Sequence, residues 1–146
     1  VTAAFDQARE LYVQAADTDP SNVAANYKAG DALIKTVGKD RAAKYFERVR
    51  EADPDYRFDI SYWIGLSYQY GMQFDLALDN FNRYRDRLNS EPGYRGNDRI
   101  LLGVVDRNIY ECRNGKEFVA NPAHYAVVNV GSAINSDARE YCPVLN

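Results

Sequence analysis

The sequence predicts an all-α fold: a short array of about six helices paired as helical hairpins, with an extended C-terminal tail. Three observations predict it. Residue types recur at a nearly constant offset of 34 or 35 positions, a period that marks stacked supersecondary units. Within each period apolar residues step by three and four, the spacing of one helix face. Pro and Gly fall between these stretches, where the chain has to turn.

The repeat is carried by a few positions. Gly30, Ala42 and Phe46 recur 35 residues later as Gly65, Ala77 and Phe81, and Ala8, Tyr12 and Pro20 stand 34 residues before Ala42, Phe46 and Pro54. The residue types suit a hairpin. Gly30 and Gly65 let a second helix approach the first, and Ala8, Ala42 and Ala77 are small residues on the approaching helix. Tyr12, Phe46 and Phe81 are expected to fill the space between hairpins. Pro20 and Pro54 stop the second helix, because proline lacks a backbone donor and clashes with the preceding turn.

The predicted helices follow in order. The first covers 2–17, with Ala4, Phe5, Ala8, Leu11, Tyr12 and Ala15 on its apolar face. The second covers 22–36 and ends near Gly38; the third covers 39–52 with Ala42, Ala43, Tyr45, Phe46 and Val49. The fourth covers 57–71 and ends at Gly71; the fifth covers 73–89 with Phe74, Leu76, Ala77, Leu78, Phe81, Tyr84 and Leu88. Asp40 and Asp75 stand close to helix starts, where a carboxylate complements the dipole. After the turn signal Ser90-Glu91-Pro92-Gly93, a sixth helix over 96–114 carries Ile100, Leu101, Val104, Val105, Ile109 and Cys112. Its Gly103 is read as standing where Gly30 and Gly65 stand, and the helix as a cap on the stack. Asn114-Gly115 and Asn121-Pro122 read as turns, and Tyr125-Ala126-Val127-Val128 with Val130 as a short β-prone run. The expected division is therefore 1–114 as the helical array (a lone helix in 2–20, repeats at 22–56 and 57–90, the cap at 96–114) and 115–146 as a tail or linker.

Composition narrows function. The 46% hydrophobic and 27% charged content is ordinary for a globular fold. A net charge of −3 gives no broad basic footprint, so nucleic acid is not an expected partner. No apolar run approaches the roughly 20 residues that span a bilayer, so no direct membrane insertion is expected. Val1 stands almost inside a helical pattern, without a leader or lipidation motif, and the expectation is a piece of a longer protein. Twelve tyrosines are the unusual count; they suit helix packing and wet interfaces alike.

Candidate chemistry is sparse, and the expectation is a chain without catalysis, cofactor or metal. The single histidine, His124, lies in a loop beside Pro122 with no nucleophile or carboxylate at a recognisable spacing. Glu51, Asp53 and Asp55 surround Pro54 but lack the ligand order and glycine of a calcium loop. Cys112 and Cys142 form no CxxC pair; they are either two buried thiols or, in an oxidising compartment, a disulfide.

The set Gly30, Ala42, Phe46 and Pro54 resembles the tetratricopeptide repeat, over about residues 4–89. The consensus aromatic of the first helix is replaced by Asn26 in one repeat and by Ser61 in the next, and the proline after the fifth helix is delayed to Pro92. The resemblance implies a protein or peptide partner held in a concave groove lined by the first helix of each pair. By register that face comprises Tyr27, Asp31, Ile34 and Lys35; Asp59, Tyr62, Leu66, Gln69 and Tyr70; and Asn97, Ile100, Arg107 and Asn108. The alternative is that half of these pack against the tail. The Lys/Asn clamp of chaperone-binding repeats is not reproduced.

The tail carries a narrower likeness, in Arg113-Asn114-Gly115-Lys116-Glu117-Phe118-Val119, Asn121-Pro122, Val127 to Ser136, and Glu140-Tyr141-Cys142-Pro143-Val144. This looks like the junction in OmpA-like multidomain proteins of Bacteroidetes, where tetratricopeptide repeats lead into a WD40-like β-propeller and a peptidoglycan-binding OmpA-like domain. The PorE-type component of the type IX secretion system represents the class. The resemblance implies a periplasmic, outer-membrane-associated setting and a secretion-system or envelope component as partner. Peptidoglycan would be reached only through domains absent from this sequence. A spacer or base for an adjoining propeller, with no partner of its own, is the rival reading.

Overall fold

The computed structural model describes residues 2–122, with side chains from residue 5 onward. The β-prone run, His124 and Cys142 lie outside the described residues. Within them the chain forms α1 (Thr2–Thr18), α2 (Val23–Ile34), a 3-10 turn at Lys39–Arg41, α3 (Ala42–Ala52), α4 (Ile60–Tyr70), α5 (Phe74–Ser90) and α6 (Leu102–Ala120). Consecutive helices pack on one another along the whole series. The order is a lone helix, the hairpins α2–α3 and α4–α5, and a closing helix.

The helix limits have local causes. The Asn22 side chain accepts the Ala25 N–H at 2.9 Å and so caps α2. The predicted third helix begins as a single 3-10 turn before α3, with Asp40 in that first turn. Asp59 does not cap α4 with its side chain. Between α4 and α5, Met72 adopts φ 55°, the left-handed conformation the tight turn demands.

The repeat positions behave as their types require. A Cβ on Gly30 would lie 2.6 Å from the Phe46 ring, and one on Gly65 would lie 2.9 Å from the Phe81 ring. Ala42, Ala77 and Phe81 have no exposed surface, and Phe46 has 1%. Tyr12 departs from its expected role: it is 40% exposed, with Phe5 and Leu11 also open, because no helix of the array packs on that side of α1 among the described residues.

Two apolar clusters make the core. One joins Ala16, Ala29, Leu33, Ala42, Phe46, Val49, Ile60 and Ile64. The other joins Phe58, Tyr62, Ala77, Phe81, Tyr84, Leu88, Val105, Ile109 and Cys112. Trp63, Leu66 and Tyr68 of α4 pack against both clusters, so α4 is the shared wall.

The sixth helix is displaced from its predicted 96–114 by about one and a half turns. Residues 91–101 form an irregular loop held by buried polar contacts. The Asp98 carboxylate accepts the Phe58 N–H at 2.8 Å and the Tyr94 hydroxyl, and the Tyr94 ring stacks on Phe58 at 3.9 Å. The Ile100 N–H donates to the Tyr84 hydroxyl at 2.7 Å, and that hydroxyl donates back to the Ile100 carbonyl. A helix starting at residue 96 would bury the Ile100 and Asp98 groups differently and orphan the Phe58 N–H. At the other end α6 runs through Asn114-Gly115 to Ala120. Gly115 is a packing glycine rather than a turn: its Cβ would sit 2.6 Å from the Phe74 ring. Gly103, by contrast, faces nothing within 4 Å and is not the counterpart of Gly30 and Gly65. The array accordingly ends at Ala120 and not at residue 114.

Candidate partner-binding face

α2 and α4 are the first helices of the two hairpins, and α6 stands where a third would begin. The thirteen positions assigned by register separate into three groups.

Ile34 (7% exposed), Asp59 (1%) and Tyr62 (7%) belong to the interior, not to an open groove. The Asp59 carboxylate accepts from Arg57 Nε at 2.8 Å and Nη2 at 2.9 Å, and from the Trp63 indole at 2.8 Å. It therefore ties the entry of α4 to its first turn. Arg57 is pushed above its usual range, first by that hydrogen bond. The Tyr62 ring sits 5.3 Å from Trp63, 5.6 Å from Phe81 and 5.9 Å from Tyr84, and burial raises its phenol pKa.

Asn97 and Ile100 are on the 91–101 loop instead of a helix. Asn97 is exposed there, and Ile100 packs against the second cluster. Their register assumed a helix that starts six residues too early.

The remaining eight lie on the surface of α2, α4 and α6 or just beneath it. Tyr27 is half-buried between Phe46 and Tyr56, with the Arg57 guanidinium 5.2 Å from its ring. Lys35 pairs with Asp31 at 2.8 Å. Between α4 and α6 runs a polar seam. Tyr62 donates to Asn108 at 3.3 Å, Asn108 to Gln69 at 2.9 Å, and Gln69 to Glu111 at 3.1 Å. Arg107 closes the chain on the other Glu111 oxygen at 2.9 Å. Part of the expected binding surface is thus engaged internally, and Glu111, which the register reading omitted, is its hub. Its signal was present: Arg107 and Glu111 are four apart, a helical ion-pair spacing. Tyr70 is 52% exposed, with the Lys39 ammonium 4.3 Å above its ring. Leu66 is half-buried one turn before it.

Cys112 has no exposed surface, and burial pushes its thiol up to about 11. Its pairing with Cys142 falls outside the described residues. Of the acidic turn, Asp53 accepts the Asp55 N–H at 3.2 Å and Asp55 pairs with Arg87 at 2.9 Å, so these carboxylates organise the turn at Pro54. Among the described residues no three His, Cys, Asp or Glu side chains group as a metal site, and no helix is long and apolar enough to cross a membrane.

Comparison with known proteins is consistent with this geometry. No curated protein and no solved structure matches the chain. The tetratricopeptide repeat family model matches residues 3–65, through the lone helix and the first hairpin to Gly65 of α4. With Gly65, Ala77 and Phe81 continuing the same packing in the next hairpin, the described fold is a short tetratricopeptide-repeat array.

Proposed function

We propose that this array is a non-catalytic protein-interaction module of a periplasmic, outer-membrane-associated assembly, the type IX secretion machinery. Tetratricopeptide repeats mediate protein–protein interaction, and stacked hairpins present a concave surface suited to an extended peptide or helix. The observation that carries the reading is the open surface at the end of α4: exposed Tyr70 under Lys39 of the 3-10 turn, with half-buried Leu66 one turn away and exposed Arg107 across the seam on α6. A half-exposed aromatic beside charged groups is the kind of anchor that dominates interface energy. The envelope setting and the identity of the machinery rest on the likeness of residues 113–144 to the junction in OmpA-like proteins.

The internal seam of Tyr62, Asn108, Gln69 and Glu111 favours the rival reading, in which the repeats are a spacer for an adjoining domain. One experiment separates the two. The double variant Tyr70→Ala, Arg107→Ala touches exposed side chains only, so far-UV circular dichroism is expected to stay unchanged. Capture of partners from an outer-membrane extract is expected to fall at least several-fold. Unchanged capture by the variant, or none by the parent chain, sinks the groove and leaves the spacer. Tyr62 is unsuitable for this test because it is a core residue.

A further inference from the structure

The two hairpins carry equivalent junctions, and the difference between them points to a second site. Each junction lies where the end of one second helix, the start of the next first helix and the following second helix meet. Offsets of 34 and 35 map Ala16 to Arg50, Asp17 to Glu51, Asn26 to Ser61, Arg48 to Arg83 and Ala52 to Arg87.

The first junction is closed. Arg48 donates to Asp17 at 3.1 Å, to the Ala16 carbonyl at 3.3 Å and to Asn26 at 3.4 Å. Asn26 fills the place of the consensus aromatic and donates to the carbonyls of Pro20 and Asn22. Asp17 also accepts from Lys44 and Tyr45. The arginine is matched and the space is occupied.

The second junction is open. Ser61 is smaller than Asn26, and a cleft of about 420 Å³ lies beside it, lined also by Arg50, Glu51, Pro54, Arg83 and Arg87. Two alanines of the first junction have become arginines. Arg87 is held by Asp55 and Glu91 and stacks on Phe58. Arg83, the counterpart of the matched Arg48, makes no hydrogen bond and no ion pair within 4.0 Å among the described residues. Its analogue of Asp17, Glu51, is exposed and forms no ion pair with it. Arg50 contacts Asn80, and its nearest carboxylate, Glu47, is 3.9 Å away. Burial first, and then the charge of Arg83, lower the pKa of Arg50. Arg50 and Arg83 therefore line one cleft in which Glu51 is the single carboxylate, next to a serine hydroxyl. Asp79 and Asp86 share a neighbouring pocket with Arg83 but form no ion pair with it within 4.0 Å among the described residues. Guanidinium forks match oxyanions bidentately.

We infer that the cleft between α3 and α5, at the N-terminal end of α4, binds an oxyanion group, with Arg50 and Arg83 as its charged partners and the Ser61 hydroxyl as a neutral donor. Ser61 and Tyr70 are nine residues apart, which at 3.6 residues per turn places them on opposite faces of α4. The site is separate from the proposed groove and does not depend on it.

The oxyanion could be a phosphate or a carboxylate, and two probes distinguish them. Methyl phosphate and acetate are titrated separately into the isotopically labelled chain at constant ionic strength, with sodium chloride as the reference. The expected result is a saturable shift of the Arg50 and Arg83 guanidinium signals and the Ser61 amide with at least one probe; the tighter probe names the source. Arg83→Gln, which removes no contact among the described residues, is expected to weaken binding at least tenfold without changing the folded spectrum. Ser61→Trp restores the bulky residue and is expected to abolish binding; should it fail to fold, Arg83→Gln decides alone. Shifts no larger than those with chloride, or equal binding by Arg83→Gln, overturn the proposal.

Discussion

Asp98 shows how one side chain fixes a stretch that helix propensity does not. It is 9% exposed and accepts from the Phe58 N–H and the Tyr94 hydroxyl, joining the 91–101 loop to the entry of α4. Removing the acceptor leaves a buried backbone donor without a partner, so Asp98→Ala is expected to cost about 1–3 kcal/mol in urea unfolding. An unchanged midpoint would mean that water replaces the carboxylate there at no cost. The same contact makes a pH prediction. Burial alone would raise the Asp98 pKa, but the hydrogen bonds from Tyr94 and Phe58 outweigh it and hold the group below the ordinary 3.8. Asp17 is held below 3.8 as well, first by its hydrogen bond from Lys44. Both folded values lie under the unfolded ones. Their contribution is therefore complete above a pH of about 4 and is lost as pH falls through the folded values. Urea midpoints between pH 7 and pH 3 should decline below about pH 4, and Asp98→Asn should flatten that decline. An equal decline in the variant would place the acid sensitivity elsewhere.

At the scale of the element, the glycines separate close packing from mere occurrence. A Cβ on Gly65 would meet the Phe81 ring at 2.9 Å and the Ala77 carbonyl at 3.2 Å, and the backbone atom cannot swing away. Gly65→Ala should cost about 1–3 kcal/mol by forcing α4 and α5 apart. Gly103, with open space around it, should respond oppositely: Gly103→Ala near the start of α6 is expected to gain roughly 0.5 kcal/mol from reduced chain entropy. Thermal melts of the two variants should move in opposite directions, and a parallel shift would contradict the packing described here. The pair also marks what the amino-acid pattern could convey. Gly30 and Gly65 were legible because each repeats in register with a ring sixteen residues on. Gly103 does not continue their series because the 91–101 loop breaks the period, so the offset no longer carries information beyond α5. Asn114-Gly115 has the composition of a turn, yet the contact with Phe74 that selects the glycine joins residues 41 apart. The inner face divides likewise. Register identified which residues point along the first helices, but Tyr62 and Asp59 are buried by Tyr84, Arg57 and Trp63, partners that only the assembled hairpins supply. The replacement of the consensus aromatic by Ser61 was visible; that arginines from α3 and α5 would converge on the space it leaves was not.

Across the whole molecule, α4 is the wall common to both clusters and α6 is the lid on the second. In a stacked array each unit is stabilised chiefly by its neighbours, so stability is close to one-dimensional. Removing an end unit should then unfold the next unit inward before the far end. Val105 and Cys112 have no exposed surface and Ile109 has 3%, all of it lost with α6. At about 1.5–3 kcal/mol per buried aliphatic side chain, Val105 and Ile109 alone amount to roughly 3–6 kcal/mol. The figure is a large share of the stability of a typical domain, about 5–15 kcal/mol. The loop contacts of Asp98 to Phe58 and of Ile100 to Tyr84 disappear with it. A chain ending at Ser90 is therefore expected to lose more helicity than its missing residues account for. Its amide protection should collapse in α5 and the outer face of α4 while α2 and α3 retain more. The comparison is with a chain ending at Pro122, which holds every contact described above and should unfold cooperatively. If the Ser90 chain melted within a few degrees of the longer one, α6 would be an appendage and not the lid. If instead protection fell evenly from α1 to α5, the two clusters would be one cooperative unit, and the junction at Trp63, Leu66 and Tyr68 would couple them more strongly than a shared wall requires.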